Sequence, residues 1–150
     1  MNTRTFALVF GVAFLLIGLS GFFLLSPPHA EHPELAVDSF YGQALGLFPV
    51  NILHNIVHIL FGIWGLLAYK SLSGAKTYAK GVAIIYAVLT VAGLIPGLDT
   101  MGGFVPLFGN DIWLHALLAA TARSSTRSRS RLAPGPTTAS SSGKRANSTS

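Results

Sequence analysis

Six polar side chains in an otherwise apolar sequence have types and spacings that could do chemistry. Asn51, His54, Asn55 and His58 recur at intervals of three and four residues, so a helix carrying them presents all four on one face. Asp111 and His115, four apart, form a second and shorter polar face. Histidines at i and i+4 can chelate one ion from a single helical turn. With a carboxylate and a third imidazole from another helix, His54, His58, Asp111 and His115 make a ligand set suited to zinc or copper. His54 or His58 opposite His115 would alternatively serve as axial haem ligands. The segment His54-Asn55-Ile56-Val57-His58 has the spacing of an HExxH helix, but Asn55 stands where a zinc hydrolase needs its glutamate base, which argues against an enzyme of that kind.

A plainer role needs no ion. Asp111 accepting from a histidine or asparagine of the other face would clamp two helices, and such bonds fix register although they average only about 0.6 kcal/mol in membrane proteins. Proton or ion passage would use the same titratable groups, but the other half of each helix carries no comparable polar ladder. The sequence therefore favours a structural or interaction module that is not an enzyme, with metal or haem binding as the alternative; no cofactor is demanded by the residues.

The elements that must position these groups are apolar. Of 150 residues, 51% are hydrophobic and 10% charged, against roughly a quarter charged in soluble domains, which points to lipid as the solvent. The absence of cysteine excludes disulfides, iron–sulfur clusters and thiolate sites. A first run, Phe6 to Leu25, is uncharged over enough residues to cross a hydrocarbon core of about 30 Å. It exceeds the roughly 7–15 apolar residues of a signal peptide, so an uncleaved helix is expected. A loop from Ser26 to Gly46 follows, holding Glu31, Glu34 and Asp38 with His29 and His32, read as solvated loop histidines. The second run is Leu47 to Tyr69, with Pro49 in its first turn, and Lys70, Lys76 and Lys80 form the next loop. The third is Gly81 to Leu98, leading into a Gly- and Pro-rich loop ending near Gly109. The fourth starts at Asn110 and meets Arg123 after too few residues to span, so a short last helix is expected. Gly42 with Gly46, and Gly93 with Gly97, read as close-packing pairs, and Trp64, Tyr69 and Trp113 as interfacial anchors.

The expected fold is thus all-α: residues 1–122 as a bundle of four transmembrane helices, and residues 123–150 as a disordered basic tail rich in Ser, Thr and Arg. The net charge of +5 resides in short runs beside the apolar stretches, a topology signal rather than a nucleic-acid one. By the positive-inside rule both termini and the Lys70–Lys80 loop are cytoplasmic, in a multi-pass protein of the cell membrane. The expected partners are the lipid bilayer, other membrane proteins or further copies of the chain, and not nucleic acid.

The blocks Gly46-Leu47-Phe48-Pro49-Val50-Asn51, His54-Asn55, His58, Gly62 and Gly65, with Gly109-Asn110-Asp111-Ile112-Trp113-Leu114-His115, resemble a family. It is a bacterial four-helix membrane domain of unknown function bearing VNxxHNxxH and DxWLH segments. The resemblance covers roughly residues 5 to 120 and implies four helices in a bacterial inner membrane, without a reaction. Beyond Ala122 the basic tail departs from the pattern, in which an apolar fourth helix continues.

Overall fold

Asparagine and serine open three of the four helices. In the computed structural model, which describes residues 1–27 and 35–127, the side chain of Asn2 accepts from the Thr5 amide at 2.8 Å, Asn51 from His54 at 3.0 Å and Ser71 from Gly74 at 3.0 Å. Each bond satisfies an amide that has no partner inside its helix. The helices so started are α1 (Thr3–Ser20), α2 (Ile52–Ala68) and α3 (Leu72–Gly93). A fourth, α4 (Asn110–Arg127), follows Gly109 at φ +69° and carries Asp111 in its first turn, where a carboxylate complements the helix dipole.

Four helices are as the sequence leads one to expect, and three short strands are not. Strands β1 (Leu25–Ser26), β2 (Gly42–Ala44) and β3 (Phe48–Val50) form an antiparallel meander with Leu25 opposite Ala44 and Ala44 opposite Phe48. Pro49 consequently lies in β3 rather than in a helical turn, and α2 begins only after Asn51. Gly42 does pack closely, but in strand β2 against β1, where a Cβ would come within 2.9 Å of the Ser26 carbonyl oxygen, whereas Gly46 lies in the turn after β2 at φ +69°. Lys76 and Lys80 lie in α3, which starts at Leu72 rather than Gly81, so the basic loop shrinks to a turn at Tyr69–Ser71.

The fourth helix is not short. It continues through Arg123 to Arg127, and the hydroxyls there are satisfied within the helix by bonding back to it: Thr121 to the Leu117 carbonyl, Ser124 to Thr121, Ser125 to Ala122 and Thr126 to Arg123. Ser125 is buried, and its carbonyl accepts from the Thr3 hydroxyl at 2.9 Å. The rest of the expected tail, and His29, His32, Glu31 and Glu34, lie outside the described residues.

The helices alternate in direction. Arg4 at the start of α1 donates to the carbonyls of Tyr69 and Lys70 at the end of α2, and Thr3 reaches the end of α4, so one end of the bundle gathers both helix α1's start and α4's finish. All basic residues among those described (Arg4, Lys70, Lys76, Lys80, Arg123 and Arg127) belong to that half; Asp38, Asp99 and Asp111 belong to the opposite half. Two helices, α1 and α3, are long and apolar enough to cross a membrane, and α2 is apolar over 17 residues.

Between α1 and α2 the backbones touch. A Cβ placed at Gly65 would come within 2.7 Å of the Gly11 Cα, one at Gly62 within 2.7 Å of the Leu15 amide nitrogen, and one at Gly18 within 2.7 Å of the Asn55 carbonyl oxygen. Small residues let helices approach this closely without side chains between them. Around the seam lies an aromatic core in which Phe6 stacks on Phe10 and Phe14 on Tyr86, with Trp64 edge-on to Tyr78. Trp64 is therefore a packing residue rather than an interfacial anchor, whereas Trp113 is 73% exposed. We expect Gly65→Val to destabilise the protein by about 1–3 kcal/mol or more, since backbone has no rotamer to yield. Ile63→Ala, on the exposed face of the same helix, should stay within about 0.5 kcal/mol, and thermal unfolding of the two variants beside the parent checks the difference.

Candidate functional site

Asn51 organises the acidic end. Its Oδ1 caps α2, while its Nδ2 donates to the carbonyls of Val37 at 2.9 Å and Phe104 at 2.7 Å. One fully buried amide thus ties the loop before β2, the start of α2 and the α3–α4 connection. Backbone bonds from Ala36 and Val37 to the Gly103 carbonyl reinforce the joint. Asn51 is a cap and not a member of the polar helix face that the spacing implied. Asn55 also turns away: its Nδ2 donates to the Gly21 carbonyl of the α1 terminus at 2.8 Å.

The remaining four residues come together between α2 and α4. His115 Nε2 lies 3.4 Å and His54 Nε2 3.9 Å from Asp111 Oδ2, and one donor atom from each of the three lies within 4.8 Å of the others. The His58 ring is 4.5 Å from that of His54 but stacks on Phe14 at 5.5 Å, beside the three rather than among them. All four residues are at most 4% exposed. Both imidazole–carboxylate separations exceed the roughly 2.7–3.2 Å of an N–H···O hydrogen bond. Among the described residues, Asp111 Oδ2 and the Nδ1 atoms of His54, His58 and His115 have no hydrogen-bond partner, although buried polar atoms are nearly always paired.

A cavity of about 190 Å³ adjoins the group, lined by His54 and His58 from α2 and His115 from α4, with Val57, Phe61 and Ile85 among its apolar lining. Tyr86 meets His115 edge to face at 4.9 Å and Leu107 closes the cavity from the α3–α4 connection. Sequence reading missed both residues: Leu107 has no signal, but Tyr86 is a lone aromatic phenol among the aliphatic residues of that part of α3.

The chain belongs to the family described as Domain of unknown function (DUF4383), whose profile matches residues 4–124. No curated protein and no solved structure matches it.

The Asn51 joint yields a prediction that ordinary capping would not. At a simple N-cap, Asp replaces Asn without loss. Here Asn51→Asp keeps the cap acceptor but sets a carboxylate against the carbonyls of Val37 and Phe104, so it should destabilise at least as much as Asn51→Ala, by about 2 kcal/mol or more. Thermal melts of the two variants test this; an aspartate variant as stable as the parent would refute the joint.

Proposed function

We propose, taking membership of a family with no assigned role as the premise, that this chain is a four-helix integral membrane protein whose working part is the buried His–Asp centre, a ligand-holding module rather than a catalyst. The observation that carries the reading is the arrangement of His54, Asp111 and His115: buried donors converging on one point, too far apart to bond one another, with atoms left unpaired. A hydrogen-bond clamp, the role favoured by spacing alone, calls for shorter contacts.

Polarity supports the membrane setting. Large apolar side chains lie on the outside of each helix away from the basic end, with Leu16, Leu60, Ile84 and Leu117 each about 60% exposed, while the histidines and Asp111 are inside and Lys76, Lys80, Arg123 and Arg127 are exposed at that end. Contiguous apolar surface of this extent suits lipid, and ionisable groups at membrane depth face the bundle interior. At 1.5 Å per residue the 17 to 22 residues of the helices give lengths of about 26–33 Å, matching a hydrocarbon core of about 30 Å. The segregation of charge orients the bundle, basic end to the cytoplasm and His–Asp centre toward the outer face.

Because the chain has no cysteine, single substitutions report topology without background. Ser73→Cys at the basic end and Ser39→Cys at the acidic end are both exposed positions. In intact cells an impermeant maleimide should label Ser39→Cys, and Ser73→Cys only after permeabilisation. The membrane fraction should retain the protein through an alkaline carbonate wash. Release by the wash, or labelling of both positions from one side, would sink the four-span reading.

A further inference from the structure

We infer that His54, Asp111 and His115 hold one divalent first-row transition-metal ion through two imidazoles and a carboxylate, with the remaining coordination positions facing the apolar cavity beneath Tyr86. The inference deepens the reading of the centre as ligand-holding and rests on it.

Distance is the first argument. Ligands about 2.0–2.1 Å from a tetrahedral ion lie about 3.3–3.4 Å from one another, so the 3.4 Å between His115 Nε2 and Asp111 Oδ2, too long for a hydrogen bond, is the edge of such a polyhedron. The three residues need move little to meet one ion, since one donor atom of each already lies within 4.8 Å of the others.

Charge and donor type narrow the ion. A carboxylate at 1% exposure with an unpaired oxygen is costly in apolar surroundings, and a cation between it and two neutral imidazoles offsets that cost. Imidazole nitrogen disfavours calcium and magnesium, which take oxygen ligands, and the chain offers no thiolate for softer ions. The cavity, at about 190 Å³, is smaller than the roughly 300 Å³ at which pockets begin to hold drug-sized ligands, a size that suits an ion with a small ligand better than a porphyrin.

The open side follows from the lining. The three histidines and Tyr86 are the polar residues of a cavity otherwise walled by residues such as Val57, Phe61 and Leu89. Val57 and Ile85, on facing parts of α2 and α3, are also on the outer surface, so the cavity reaches toward the apolar exterior. A centre with three protein ligands and an open position is the arrangement of ion sites that receive an exogenous ligand.

Cobalt(II) is the probe, because its visible ligand-field bands report a low-coordinate nitrogen–oxygen site. The purified full chain, stripped by chelator and titrated with Co²⁺, should take up one equivalent per chain and develop those bands, and Zn²⁺ should abolish them. His115→Ala and Asp111→Asn should each weaken binding by at least about 100-fold, more than loss of an outer-shell partner does. His58→Gln should keep the stoichiometry and the bands. Should the first two variants fail to fold, X-ray absorption of the zinc-loaded parent still reads the ligands directly, and two imidazoles per ion are expected. Metal analysis of protein isolated without chelator separates zinc from iron, which share this ligand set. Folded parent that takes up no stoichiometric Co²⁺, or His115→Ala with unchanged affinity and spectrum, would overturn the inference; a bundle that passes the labelling test but takes no metal would leave the membrane reading intact and remove this one.

Discussion

The contact on which the structure depends is made without side chains. Gly11 of α1 meets Gly65 of α2, Gly62 meets Leu15, and Gly18 meets Asn55 and Ile59, so closely that the two backbones act as one surface. The placement of His58 follows from this seam, because it sets α1 near enough for Phe14 to stack on the imidazole. The same closeness lets Asn55 reach the Gly21 carbonyl, where a Cβ on Gly21 would collide with the amide. Two helices locked this way present His54 and His58 from a fixed wall.

The facing wall is built differently. Asp111 and His115 stand on α4, which pairs mainly with α3, and between the two helical pairs lie the cavity beside Tyr86 and a second of about 260 Å³ between Phe10, Phe14, Leu114 and Leu118. His58 borders both spaces. What holds the walls in register is the acidic end, where the amide of Asn51 joins three stretches of chain and Asn110 donates to the Leu47 carbonyl at 3.2 Å. The small sheet is therefore scaffolding for the site: β3 delivers the chain to Asn51 in the extended conformation a cap requires.

The residues of the centre were legible because helical periodicity and matched depth survive errors in helix boundaries. His54, Asp111 and His115 meet, with His58 beside them, whether α2 starts at Leu47 or at Ile52. The role of Asn51 was not legible, since a residue is a cap or a face residue according to where the helix begins, and Leu47 to Val50 are as apolar as the helix itself. The β2–β3 connection hid the sheet: Leu45 and Gly46 take φ of 56° and 69°, and a leucine at positive φ gives none of the Asn-Gly signal that marks such turns. The start of α3 was masked by Lys76 and Lys80, which resemble a loop in composition, although Ser71 three residues before Gly74 was a cap in plain sight. The end of α4 was masked by serines and threonines that serve their own helix.

The position of the centre along the bundle has an electrical meaning. Asp111 is in the first turn of α4 and His115 one turn further, so in the proposed four-span setting the group would lie about 6 Å inside a hydrocarbon core of about 30 Å. In a bilayer held negative on the cytoplasmic side, a divalent cation reaching it from outside would cross about a fifth of the field, a gain of about 1 kcal/mol per 100 mV. Its occupancy would follow the composition of the external medium and respond only mildly to voltage. In the same proposed setting the six basic residues described at the other end would sit at the negative pole, so polarisation of the membrane would hold the bundle upright while scarcely tuning what it binds.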